Sequence, residues 1–344
     1  MRLLPLVPRS SVIRSLTLSV FTTACVVSVS ELCAQAPPVA PRPRVALPDE
    51  ATGIDAIVRA LIGAYDQVDI VALGEAHERE IDSDVRVAMV RHPDFAKKVR
   101  SIVIECASVS EQSTLDRYIR GESVPKAQLE RVWKATAETT NGFCDAPIYL
   151  DFLTAVRDVN SMLPAGARIR VLAGHPGPGE NRGTEATAVG VVSEEVLNKH
   201  GKVLLIFGSA HFYLDGPADY YESMGGDIGL ARRLNIALPR RTLTVVPIGD
   251  LPRPPAVKAD TPPDYTRFDR ALKSPTRPVL VSLQRLPFRD LTAEEFLGRT
   301  LTTCRRRGGC QSVFKGSTLK LGQMADATIY VGGGDRASTP AKPH

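Results

Sequence analysis

Short apolar runs alternate along this chain with longer stretches whose apolar residues recur every three or four positions. Residues 49–66 have the second pattern, with Ile54, Ile57, Val58, Leu61, Ile62 and Tyr65 at helical spacing. Residues 69–73 have the first and predict a buried strand ending at Gly74. A helix is expected over 79–90, stopped by His92-Pro93 because proline pushes the preceding residue out of helical conformation. A second strand is predicted at 101–104, and helices at 108–119, 126–137 and 148–162. Strands at 168–173, 203–207, 243–248, 278–282 and 327–331 alternate with helices at 191–198, 228–234 and near 293–297. A Pro/Asp-rich connection, 249–263, interrupts the series. The pattern predicts an α/β fold: a mainly parallel sheet with helices on both faces and a helical insertion between the second and third of these strands.

In such a sheet, ligands bind beyond the carboxyl ends of the strands. Five chemically able residues fall just beyond those ends: Glu75, His77, Glu105, His175 and His211. Two of the strand ends share a pattern. Gly74-Glu75-Ala76-His77 and Gly208-Ser209-Ala210-His211 each close an apolar strand with Gly-x-x-His. One such tetrapeptide is weak as a signal. Two in the same context are more specific, and they predict one rim carrying two carboxylates and three imidazoles.

That rim suits two chemistries. All five residues could ligate a divalent metal such as Zn²⁺, Mn²⁺, Co²⁺ or Fe²⁺, which lowers the pKa of a bound water and supplies hydroxide. Without a metal, a histidine oriented by a carboxylate would take a proton from water, and a second would stabilise developing charge. Glu75, His77, Glu105 and His211 are the catalytic candidates. Bland roles compete with each assignment. Glu75 could cap the following helix, Glu105 could be a paired structural carboxylate, and His77 and His211 could be core-edge histidines. His175, in a Pro/Gly loop, could be inert. Arg168 and Arg170 flank a strand and could serve as anion partners at the rim or form solvent salt bridges.

These motifs carry a resemblance. The doubled Gly-x-x-His resembles the signature of the erythromycin esterase, ChaN, TraB and Tiki superfamily. Residues 102–105, Met224-Gly225 and residues 326–330 look similar to its other pieces. The resemblance implies His77 as general base or metal ligand, Glu75 and Glu105 as its partners, and His211 as a second ligand or stabiliser. Its esterase branch implies hydrolysis of a lactone, its Tiki branch metal-dependent proteolysis, and its ChaN branch haem binding. The reading is thus a hydrolase, esterase-like or metal-dependent peptidase-like, acting on a small ester, lactone or amide or on a peptide. The alternative is a haem- or metal-binding protein, with Tyr213, Tyr220 and Tyr221 as candidate axial ligands. At Val171-Leu172-Ala173-Gly174-His175 the sequence departs from the esterase pattern, which leads to the expectation of an aspartate.

Composition adds the setting. The 344 residues are 43% hydrophobic with net charge +5, enough for one large domain. Charges of both signs are interspersed, with no basic run bearing interleaved aromatics, so nucleic acid is not an expected partner. Arg2, Arg9 and Arg14 precede an apolar run, residues 15–29, with no acidic residue before Glu31. This reads as an export signal over 1–36, too short for a comfortable membrane span. Ala34-Gln35-Ala36 is a cleavage candidate, and Cys25 is an alternative lipid-anchor site; an uncleaved anchor is the third possibility. The expected location is periplasmic or secreted. A proline-rich linker, 37–48, a single domain, 49–331, and a disordered tail, 332–344, follow. The four cysteines outside the signal agree with export: Cys304 with Cys310 across a small hairpin-like loop would leave Cys106 with Cys144, although four cysteines allow three connectivities.

Overall fold

The structure is a computed structural model that describes residues 45–136, 143–180, 182–223, 228–239, 241–249, 265–297, 302–305 and 309–333. The export segment with Cys25, residues 37–44 of the linker, Met224-Gly225, residues 250–263 of the connection and the tail beyond 333 lie outside the described residues.

In chain order the principal elements are β1 (Glu50–Thr52), α1 (Ile54–Ala64), β2 (Ile70–Glu75), α2 (Glu80–Arg91), α3 (Phe95–Lys98) and β3 (Ser101–Ser108). Then come α4 (Gln112–Ile119), α5 (Lys126–Lys134), α6 (Pro147–Met162), β4 (Arg170–His175), α7 (Thr184–Glu195) and β5 (Val203–Gly208). The chain continues through α8 (Ala218–Ser223), α9 (Leu230–Ala237), β6 (Thr242–Ile248), α10 (Thr266–Ala271), β7 (Val279–Ser282) and α11 (Ala293–Leu297). It closes with a hairpin, β8 (Thr302–Arg305) and β9 (Gly309–Ser312), then α12 (Leu321–Met324) and β10 (Ala327–Tyr330).

Eight strands form one sheet in the order β1-β7-β10-β6-β2-β5-β3-β4. From β10 to β4 every neighbouring pair is parallel, while β7 runs antiparallel to β10 and β1 antiparallel to β7. The strands read as unbroken apolar runs because both sheet faces are buried. Period-two alternation sends Val71, Leu73, Ile102, Ile104, Leu204 and Ile206 to one face, against α1, α2 and α4–α6. Ile70, Ala72, Val103, Leu172, Leu205 and Phe207 go to the other, with Ala188 and Val192 of α7 and Leu230 and Leu234 of α9.

The expected α/β architecture is present, and the helical insertion is α4–α6 between β3 and β4. Two element predictions need correction. Residues 49–66 are not one helix: Glu50–Thr52 is an edge strand and the helix begins at Ile54. Three residues are too few for alternation to show. The helix expected at 191–198 starts at Thr184 and ends at Glu195. Its buried residues include Glu185 and Thr187, so polar side chains interrupt the apolar spacing that would have announced it.

Candidate active site

The parallel core places the carboxyl ends of β2, β5, β3 and β4 side by side. Glu75 ends β2 directly opposite Gly208, which ends β5. The loop after Glu75 is tied down on both sides. The Asp82 carboxylate accepts from the Ala76 N–H at 2.8 Å and is gripped by two nitrogens of Arg79, at 3.0 and 2.6 Å. Arg79 also donates to the Gly249 carbonyl at 2.7 Å, joining the loop to the end of β6. Within the loop Glu78 takes a left-handed φ of 65°, a conformation that costs energy for a side chain with a Cβ.

Glu75 is buried and has a partner on each oxygen. Oε2 pairs with Arg86 Nη1 from α2. Oε1 accepts the Tyr149 hydroxyl proton at 2.6 Å and stands 3.1 Å from His77 Nδ1. Tyr149 Oη is also 3.1 Å from that nitrogen. The Arg86 guanidinium lies 4.9 Å from the centre of the Tyr149 ring, and its Nη2 donates to the Ile148 carbonyl at 3.3 Å. Thus α2 and α6 jointly hold the carboxylate that orients His77.

The second half of the site depends on an irregularity in β3. Ile104 pairs with Ala173 and Ser108 with His175. Glu105, Cys106 and Ala107 therefore occupy an interval that β4 crosses with Gly174 alone. A Cβ on Gly174 would meet Phe207 Cζ at 2.5 Å, so only glycine lets the sheet close here. The bulge aims Glu105 at β5. Its Oε2 accepts the Gly208 N–H, and its Oε1 is 2.9 Å from His211 Nε2. His211 sits in a 3₁₀ turn, Ser209–Phe212, and its Nδ1 is 2.7 Å from Glu185 Oε1 at the start of α7.

Both nitrogens of His211 face carboxylates, which requires both to carry protons, so this ring is an imidazolium. Its pKa accordingly stands well above the ordinary value: burial opposes the charge most strongly, but Glu105 and Glu185 together outweigh it. His77 is raised to about 9, with burial opposing and the Glu75 hydrogen bond and the Glu105 and Glu75 charges prevailing. Burial would lift Glu105, yet His211, His77 and the Gly208 N–H bring it down to about 2. Glu75 is likewise lowered, burial being overcome by Arg86, His77 and Tyr149. The two rings are the members that reach solvent. The His77 side chain is 22% exposed and His211 15%, against 5% for Glu75 and 2% for Glu105.

Four of the five expected residues therefore meet in one cluster. The fifth, His175, ends β4 at the sheet edge, is buried, and its Nδ1 lies 2.9 Å from the Pro176 carbonyl. The expected metal set does not fit this arrangement. Among the described residues no group of three or more His, Cys, Asp or Glu side chains is placed to hold a metal ion. The carboxylates of Glu75 and Glu105 instead lie at hydrogen-bonding distance from His77 and His211. Arg170 begins β4, at the end of the strand away from the rim, and pairs with Asp116 and Glu195. Arg168 donates to the Leu163 carbonyl. The tyrosines considered as axial ligands have structural places. Tyr213 and Tyr220 are core residues, Tyr220 donating to the Ala210 carbonyl, and Tyr221 bonds Asp215 and Arg232.

Sequence reasoning missed Arg86, Tyr149 and Glu185. Arg86 had a signal: it is a charged residue among Val85, Met89 and Val90 on the buried face of α2, and such a charge needs a buried partner. Tyr149 and Glu185 had none, since each opens a helix among ordinary polar and aromatic neighbours.

No family model and no curated protein matches the sequence. Solved structures do match. A succinoglycan biosynthesis protein aligns with TM-score 0.55 and 9% identity, over 83% of this chain and 94% of that one. A variant of the erythromycin esterase EreC in its open conformation aligns with TM-score 0.50 and 11% identity, over 81% and 94%. ChaN of Campylobacter jejuni, in a structure with cofacially bound haem, overlaps less: TM-score 0.30 and 13% identity, over 56% and 85%. At these identities the likeness is one of architecture: the chain shares its fold with the succinoglycan biosynthesis protein and EreC structures.

Proposed function

We propose that this chain is a hydrolase in which His77 activates water against the carbonyl carbon of an ester or lactone, with an amide as the harder substrate of the same kind. The observation that carries the reading is the contact of Glu75 with His77 Nδ1 at a solvent-reaching sheet rim. A carboxylate on Nδ1 fixes the ring and leaves Nε2 as the working nitrogen. Nε2 takes a proton from water as the oxygen attacks the carbonyl. When the tetrahedral intermediate collapses, the departing alkoxide takes that proton back. Arg86 and Tyr149 hold Glu75 ionised and in place.

His211 has another task in this reading. Its protons are committed to Glu105 and Glu185, so it acts as a fixed cation that braces Glu105, and through it the Gly208 main chain beside His77. Peptidase chemistry and haem binding have no observation of their own in the site.

Residues 49–331 form, in this account, one catalytic domain behind an export segment. Two sulfurs support export to the periplasm or beyond: Cys106 and Cys144 form a disulfide, a bond that persists in oxidising compartments. Among the described residues, no helix is long and apolar enough to cross a membrane. The test is a panel of chromogenic esters, lactones and amides with purified protein and its His77→Ala variant. Turnover that falls at least about a thousandfold in the variant supports the reading; no turnover, or equal turnover, contradicts it.

A further inference from the structure

The disulfide lies at the point where the two halves of the site are joined. Cys106 follows Glu105 directly, inside the β3 bulge. Cys144 lies in a single 3₁₀ turn, Phe143–Asp145, just ahead of α6, whose first turn carries Ile148 and Tyr149. The bond brings the two Cα atoms to 5.2 Å across 38 residues of chain. It therefore fastens the segment that aims Glu105 to the helix end that holds Glu75 through Tyr149 and receives Arg86 at the Ile148 carbonyl. A second tie on this turn is Trp133 Nε1 donating to Asp145 Oδ1 at 2.9 Å. Beneath the junction lies a small cavity lined by Glu75, Arg86, Cys106, Trp133, Tyr149 and Phe152, among others. Among the described residues the buried Nε of Arg86 has no hydrogen-bond partner. The packing under the α6 end is therefore incomplete.

We propose that the Cys106–Cys144 disulfide is a positioning element of the hydrolytic site, so that the site is assembled in the oxidised chain and loosened in the reduced one. The proposal deepens the hydrolase reading and rests on it for its catalytic meaning. Reduction by a small dithiol breaks the Sγ–Sγ bond, delivers two electrons and two protons to give two thiols, and leaves the reductant as its own cyclic disulfide. Freed of the bond, the start of α6 no longer holds Tyr149 on Glu75, and Glu75 no longer fixes His77 Nδ1. The consequence is a chain that is idle until it reaches an oxidising compartment.

The experiment uses the Cys25→Ser/Cys33→Ser/Cys304→Ser/Cys310→Ser chain, in which Cys106 and Cys144 are the one remaining pair for dithiothreitol to act on. Two readouts are taken before reduction, after it, and after reoxidation, with circular dichroism as the check on fold. The first is the downfield proton resonance of His77 Nδ1–H, assigned by its loss in His77→Gln, which needs no substrate. The second is kcat and KM on the best ester of the panel. The expected result is loss of the resonance and a fall in kcat of at least about tenfold with little change in KM, both reversed on reoxidation. A folded, reduced chain that keeps the resonance and its kcat overturns the proposal. Should reduction unfold the chain, Cys106→Ala/Cys144→Val refills the buried space without the bond, and the same two outcomes decide. Loss of the resonance on reduction in a protein that hydrolyses nothing would sustain the brace and sink the hydrolase reading.

Discussion

The imidazole of His77 is seated on the main chain of Gly208: a Cβ added at Gly208 would stand 2.6 Å from His77 Nε2 and 3.4 Å from Glu105 Oε2. The two Gly-x-x-His motifs are therefore halves of one contact, the histidine of the first resting on the glycine of the second. Gly208→Ala forces the ring aside without touching the core. The expected outcome is a fall in kcat/KM on the order of a hundredfold, since a displacement near 1 Å has that effect on a catalytic group. Chemical denaturation should show a much smaller loss of stability. Steady-state kinetics beside a denaturation curve separate the two, and an Ala variant with unchanged kcat/KM would show that the seat is irrelevant.

His211 makes the opposite prediction, a large effect on stability. His211→Ala leaves Glu105 and Glu185 buried without their shared cation. Breaking a buried pair by removing one partner costs about 3–5 kcal/mol. Urea unfolding of the variant should show a midpoint lowered accordingly. A change under about 1 kcal/mol would mean that water replaces the ring without penalty.

The charged cluster also sets how stability varies with pH. His77 titrates at about 9 in the fold against an ordinary 6.5. Between those values the folded chain holds the extra proton, so its contribution is full below about 6.5 and is lost as pH rises through 9. Glu105 titrates at about 2 against an ordinary 4.5. There the unfolded chain holds the extra proton, so that contribution is full above about 4.5 and is lost as pH falls toward 2. Each limb is worth on the order of 3 kcal/mol, and the two overlap because the same pairs produce both. Melting temperature against pH should show a plateau from about 4.5 to 6.5 with a decline on either side. In Glu105→Gln the acid limb should shrink; an unchanged acid limb would assign it elsewhere.

Much of this was legible from the apolar runs, because a parallel sheet buried on both faces leaves unbroken strands that a sequence displays openly. Their carboxyl ends then named Glu75, His77, Glu105 and His211. What stayed hidden was what holds those four. Arg86 and Tyr149 reach Glu75 from helices, 11 and 74 residues further along the chain, and no spacing rule connects such distances. The β3 bulge that turns Glu105 toward β5 is a matter of register, invisible until β4 is paired beside it. His175 ends the edge strand, and a strand end looks the same in sequence at the sheet edge as at its centre. The Cys106–Cys144 pairing was one of three connectivities, and only the approach of α6 to β3 selects it.

His77 is the proposed base, its proton held by Glu75 with Glu105 adding to it, and the pH dependence of kcat/KM tests that role most directly. For the wild-type chain kcat/KM should rise with pH to a plateau through an apparent pKa of about 9, as His77 loses its proton. In Glu75→Gln the plateau should fall by about 10²–10⁴, and the limb should move down toward the ordinary imidazole range near 6.5. A limb that stays near 9 in Glu75→Gln, or a wild-type profile flat between pH 6 and 10, would contradict the Glu75–His77 dyad as the water-activating unit.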